Sequence, residues 1–103
     1  MAFTSIIHFD VKPGQAAIFE RAFAGAGMLT RPAGVNGFIG AELVRSVDEP
    51  TVYYVVGKWE SPDAYARWQA IAFDEADPEV MKTFYAALNH PRPGRLFKTV
   101  ITS

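Results

Sequence analysis

The run Thr51–Glu60, TVYYVVGKWE, limits the possible folds more than any other part of the chain. It is dense in β-branched and aromatic residues, and it carries apolar side chains on both alternating faces. Tyr53, Val55, Gly57 and Trp59 share one face, and Tyr54 and Val56 lie on the other. A strand with one wet face alternates more cleanly, so both faces are expected to be covered. The segment Phe3–Val11 behaves similarly. Phe3, Ile7, Phe9 and Val11 fall on one face with Ser5, while Ile6 joins Thr4, His8 and Asp10 on the other.

Turn chemistry places the remaining elements. Lys12-Pro13-Gly14 ends the first strand, and Phe19, Ala22, Phe23 and Ala26 then recur on one face of a helix over Gln15–Ala26. Gly25 and Gly27 stop that helix, and a loop through Arg31–Gly34 reaches the turn pair Asn36-Gly37. A second strand over Phe38–Val47 joins Thr51–Glu60 through Asp48-Glu49-Pro50, a link short enough for an antiparallel hairpin. Ser61-Pro62-Asp63 starts a helix with Tyr65, Trp68 and Ala72 on one stripe. Asp77-Pro78-Glu79 starts another, with Val80, Phe84 and Leu88. Asn89–Gly94 is too rich in proline for helix, and Leu96–Thr102 reads as a last strand.

This order predicts an α+β, ferredoxin-like βαββαβ domain over residues 1–103, with a four-stranded antiparallel sheet and its helices on one face. Helices cover only one side, so the second apolar face predicts a homodimer packed sheet to sheet. The alternative is a monomer with an exposed apolar face.

Composition removes several functions. The 103 residues include no cysteine, which excludes disulfides, a thiol nucleophile and cysteine-ligated metal. Ten basic residues against eleven acidic ones give a net charge of −1, with no attraction for nucleic acid or anionic membrane. The third strand also lacks the Lys/Arg-Gly-aromatic signature of RNA-binding sheets. Residues 1–11 lack the basic start and unbroken apolar core of a signal peptide, and no run is long enough to span a membrane, so a cytoplasmic location is expected. Gly25-Ala26-Gly27 sits at a helix end, phosphate-loop and nucleophile-elbow motifs are missing, and no cofactor is expected. Asp74, Glu75, Asp77 and Glu79 lack the spacing of a calcium loop and read as capping acids at a helix junction.

The aromatic residues carry the candidate site. Gly57 removes a side chain between Val55 and Trp59, leaving room beside Tyr53 and Trp59 that Tyr65 and Trp68 would close over. A pocket of that kind suits a flat phenolic molecule with tyrosine hydroxyls as its polar handles; the alternative is that the rings simply fill the core. His8 and His90 are the side chains suited to proton transfer near neutrality, either as a base or in a structural role.

Taken together, VKPG at Val11–Gly14, Phe19-Glu20 with Phe23, and Gly37-Phe38-Ile39-Gly40 with Leu43, Arg45 and Ser46 resemble the antibiotic biosynthesis monooxygenase family. The most specific piece is the run Trp59-Glu60-Ser61-Pro62-Asp63-Ala64-Tyr65 with Trp68. The resemblance covers nearly the whole chain and implies a dimeric α+β barrel. Family members that make quinones without a cofactor use a tryptophan at the end of this strand and a tyrosine six residues on, which Trp59 and Tyr65 match. They also use an asparagine four residues before the tryptophan, where this chain has Val55. The haem-degrading branch uses a first-strand asparagine and a histidine ligand; the corresponding places hold Ile7 and a residue near Asp77, and no histidine lies between His8 and His90.

The resemblance implies a monooxygenase that oxidises a phenol, anthrone or quinol to a quinone with dioxygen. Trp59, Tyr65 and His8 would be catalytic, and Tyr53, Val55, Gly57, Trp68 and His90 would line the substrate. The alternative is a non-catalytic dimer that binds an aromatic metabolite, for which Val55 in place of asparagine is the argument.

Overall fold

The strands and helices alternate as the turn signals require: β1 (Phe3–Asp10), α1 (Ala16–Gly25), a 3-10 turn (Arg31–Gly34), β2 (Phe38–Arg45), β3 (Val52–Trp59), α2 (Pro62–Ala72), α3 (Pro78–Ala86) and β4 (Arg95–Lys98). They come from a computed structural model that describes residues 2–90 and 92–103; Pro91, within the expected irregular stretch, lies outside the described residues. The sheet order is β2-β3-β1-β4 with every neighbour antiparallel, which is the ferredoxin-like arrangement.

Local chemistry sets the helix starts. Ser61 Oγ accepts from the Ala64 amide at 3.2 Å, and Asp77 Oδ1 accepts from the Glu79 amide at 2.9 Å. Each cap is followed by a proline that has no amide to leave unpaired. Gly37 turns the chain into β2 with φ +96°, and a Cβ there would stand 2.8 Å from that of Ala64. A bulge between Phe38 and Gly40 follows, after which Ala41, Leu43 and Arg45 oppose Gly57, Val55 and Tyr53.

Register divides the sheet cleanly. Ser5, Phe9, Tyr53, Gly57 and Trp59 are buried beneath the helices, in one core with Phe19, Ala22, Phe23, Tyr65, Trp68 and Phe84. Ile6, Val44, Tyr54, Val56 and Phe97 lie on the other face, outside the helix layer. Tyr54 is 37% exposed and Phe97 40%, whereas Tyr53 is 1% exposed. Among the described residues, no helix is long and apolar enough to cross a membrane.

The ends of β1, α1, β2 and β3 fall within two residues of expectation, and two larger differences remain. β4 stops at Lys98 instead of reaching Thr102, because Lys98 already lies opposite Phe3, the first residue of β1. The bond from the Thr99 amide to the Ala2 carbonyl, 3.0 Å, continues the contact by one residue. The Arg31–Gly34 loop contains a 3-10 turn, with Pro32 buried in it.

The β4 side of β1 is paired in two separate places. Phe3–Ile6 pair with Lys98–Arg95. Farther on, the Asn89 amide donates to the Asp10 carbonyl at 2.9 Å, and Val11 bridges to Leu88. Between them, Ile7, His8 and Phe9 have no backbone partner on that side among the described residues.

Candidate active site

A cavity of about 260 Å³ lies between the sheet and the helices. Ile7, Phe9 and Val55 form its floor, and α2 supplies Tyr65, Trp68 and Gln69 along one side. Phe23, Met28, Phe84 and Leu88 face them, and Arg92, Pro93 and Gly94 close one end. Phe73 and Tyr85 also line it, with ring centroids 6.0 Å apart; they are 42% and 44% exposed, so the cavity meets the surface beside them.

The walls are mostly apolar, with a few polar groups among them. Tyr65 is buried, and its hydroxyl oxygen accepts from Gln69 Nε2 at 3.2 Å. Burial pushes the Tyr65 phenol above its ordinary pKa, which keeps the proton on the oxygen. Gly94 admits that hydroxyl: a Cβ at residue 94 would collide with it and would stand 3.0 Å from Ile7 Cγ1.

Trp68 is held from behind. Arg31 donates from Nη1 to the carbonyls of Ala26 and Ala72 at 2.9 and 3.0 Å, and from Nη2 to that of Ile71 at 2.9 Å. The same guanidinium lies 5.1 Å from the centre of the Trp68 ring.

Of the residues singled out from sequence, Tyr65, Trp68 and Val55 meet in this cavity; the others stand elsewhere. The space beside Gly57 is already filled, since a Cβ there would lie 2.6 Å from Ser5 Oγ and 2.8 Å from Trp59 Nε1. Trp59 occupies the gap that was expected to receive a ligand. It is 2% exposed, donates its indole N–H to Ser5 Oγ at 2.9 Å, and packs behind Tyr65 with ring centroids 5.5 Å apart. Tyr53 turns toward α1, donating its hydroxyl to Glu20 Oε2 at 2.5 Å. Burial, reinforced by the bond to Glu20 and that residue's charge, pushes the Tyr53 phenol up to about 12. Neither Trp59, Tyr53 nor Gly57 lines the cavity.

The two histidines do not reach it either. His8 lies opposite Tyr54 on the far face of the sheet, with both ring nitrogens engaged by Asp10 and Arg92. His90 is exposed and outside the cavity wall. Among the described residues, no group of three or more His, Cys, Asp or Glu is placed to hold a metal ion.

Several wall residues escaped the sequence reading. Gln69 had a usable signal, since it follows Tyr65 by one helical turn. Phe23 and Phe84, expected on the apolar stripes of their helices, pack in the core and face the cavity as well. Arg92 and Gly94 lie in a stretch whose irregularity was visible but whose destination was not.

The family model for antibiotic biosynthesis monooxygenase matches residues 2–72. The chain belongs to that family. The match runs from β1 through α2, so it includes Tyr65, Trp68 and Gln69 but stops short of α3 and Arg92–Gly94. Among solved structures, a Bordetella bronchiseptica protein assigned to the same family is 25% identical, with a TM-score of 0.72 and coverage of 97% of this chain and 98% of that one. SnoaB, a cofactor-independent oxygenase from Streptomyces nogalater, is 26% identical at a TM-score of 0.71, over 98% of this chain and 95% of its own. A conserved Methanosarcina mazei protein shares the fold at a TM-score of 0.76 with 12% identity, covering 97% and 94% of the two chains. No curated protein sequence matches the chain.

Proposed function

We propose that this chain is a cofactor-independent monooxygenase that oxidises a phenol-, anthrone- or quinol-type ring with dioxygen to a quinone. The observation that carries the reading is an apolar cavity in which a protonated, buried tyrosine hydroxyl is backed by a glutamine amide. SnoaB, similar over nearly its whole length, supports it.

Dioxygen is a triplet, so the ring must supply the electrons, most easily as its phenolate or carbanion. For an anthrone or a phenol, one oxygen atom becomes the new carbonyl oxygen and the other leaves as water, taking the two hydrogens the ring loses. A quinol already carries both oxygens and passes its two hydrogens to dioxygen, leaving hydrogen peroxide. The protein's contribution is to exclude water, orient the ring and favour its anion. Gln69 already donates to the Tyr65 oxygen, so the Tyr65 proton remains for the ligand's oxygen. Trp68 and Val55 serve as apolar walls, and Trp59 acts from behind by fixing Tyr65.

The open face of the sheet supports a second part of the proposal: a homodimer in which a second copy covers Ile6, Val44, Tyr54, Val56 and Phe97.

The test is oxygen uptake by metal-free protein across a panel of anthrones, naphthols and hydroquinones, with mass spectrometry of the product. Uptake with a quinone heavier by one oxygen and lighter by two hydrogens is expected for an anthrone or naphthol. Absence of uptake across the panel sinks the reading. Val55 in the cavity wall favours a second reading, a non-catalytic binder of aromatic metabolites; it predicts saturable binding with the ligand recovered at unchanged mass.

A further inference from the structure

The end of the cavity is closed where β1, among the described residues, has no backbone partner on its β4 side. Ile7 and Phe9 point into the cavity from that interval, and Arg92, Pro93 and Gly94 cover it without belonging to the ladder. What ties this covering down is on the opposite face of the sheet.

There, Arg92 Nη2 donates to Asp10 Oδ2 at 2.9 Å, and Arg92 Nη1 lies 3.0 Å from His8 Nδ1. His8 Nε2 lies 2.9 Å from Asp10 Oδ1. A guanidinium can only donate, so Nδ1 is the acceptor; these partners assign the ring proton to Nε2, which gives it to Asp10. Each of the three side chains is thus bonded to the other two. Tyr54 packs against the His8 ring with centroids 4.9 Å apart.

An isolated surface ion pair holds little, but a closed set with two charge-assisted contacts to one planar group fixes a geometry. The geometry matters here because Gly94, two residues from Arg92, rests against the Tyr65 hydroxyl. We infer that His8 and Asp10 are positioning residues: acting through Arg92, they latch the Arg92–Gly94 wall and so set the surroundings of Tyr65. The inference rests on the cavity being the aromatic site proposed above. His8 then works from the far face by holding Arg92, and transfers no proton to the substrate. The latch lies partly outside residues 2–72, so the family match does not account for it.

The experiment uses the full chain with Arg92→Met, His8→Leu and His8→Gln. The last keeps an acceptor for Arg92 and a donor for Asp10. Two readouts are taken: amide hydrogen exchange at Gly94 and Arg95 in the free protein, and binding of 1-naphthol followed by tryptophan fluorescence. Arg92→Met and His8→Leu should speed exchange at those amides. Both should weaken 1-naphthol binding about tenfold, the scale of one charge-assisted hydrogen bond, with the thermal midpoint held. His8→Gln should restore both readouts.

Unchanged exchange overturns the latch, as does a His8→Gln variant as impaired as His8→Leu. Faster exchange with undiminished naphthol affinity also overturns it, because the wall would then not serve the site. Should the wild type refuse 1-naphthol and every other member of the anthrone, naphthol and hydroquinone panel while exchange responds as expected, the latch stands and the aromatic reading fails. Should the wild type bind and oxidise a naphthol while the variants match it in both readouts, the reading stands and the latch fails.

Discussion

The two faces of the one sheet are built from the same strands, yet they use aromatic residues differently. Beneath the helices, Phe9, Tyr53 and Trp59 are buried, and each buried polar tip has a partner: Tyr53 with Glu20, Trp59 with Ser5. On the open face, Tyr54 and Phe97 keep over a third of their surface exposed, and the polar residues form a linked surface cluster. The contrast shows that strand alternation sorts side chains into layers, while the neighbouring layer decides what each one does. Aromatic content alone marks neither face as the site; the cavity lies on the helix side because α2 and α3 leave space over Ile7, Phe9 and Val55.

The sharpest way to break the contrast is Trp59→Ala. It empties a fully buried position and leaves the Ser5 hydroxyl unpaired, so a loss of about 3–5 kcal/mol in urea denaturation is expected. Tyr65→Phe comes next. It removes the donor while keeping the ring, so oxygen uptake should fall about a hundredfold with the urea midpoint nearly unchanged. Val56→Asp probes the other face and with it the proposed homodimer: light scattering should give twice the chain mass for the wild type and the single-chain mass for the variant, while 1-naphthol binding in the cavity persists. A dimer that survives the substitution would remove the open face as the contact.

The smallest expected effect is at Tyr53. Tyr53→Phe should cost about 1 kcal/mol near neutrality, the worth of one hydrogen bond. It should also flatten an alkaline limb of the stability curve. Below about pH 10 this hydroxyl is protonated in folded and unfolded chains alike, so its contribution is complete. Between that pH and about 12 the unfolded chain ionises first and wild-type stability falls; the variant lacks that part of the decline. Urea midpoints of both proteins across that range make the comparison.

The layers of β1 and β3 could be read from period-two spacing, and both helix starts from Ser61-Pro62 and Asp77-Pro78. That Tyr65 and Trp68 stand together was legible because one helix face carries both, and both line the cavity. Gly57 misled for a definite reason: strand spacing says which face a residue takes, but not that Trp59, two positions on, would fold its indole over the glycine. His8 was placed on the correct strand face, though Arg92, one of its two partners, is 84 positions away. That contact depends on where β4 leaves β1, which no local pattern encodes. The cavity floor follows from alternation, whereas its end wall follows from a long-range meeting of three polar side chains.

Arg31 gives the cavity unequal mechanical properties. A single guanidinium grips carbonyls at the ends of both α1 and α2 while backing Trp68, so these helices cannot separate without breaking several charge-assisted bonds together. Among the described residues, the Arg92–Gly94 side is tied by side chains reaching across an exposed edge. The cavity therefore has one wall clamped through backbone carbonyls and one latched through side chains, and a ligand larger than the resting cavity would gain its room where the side-chain latch releases, beside the Tyr65 hydroxyl.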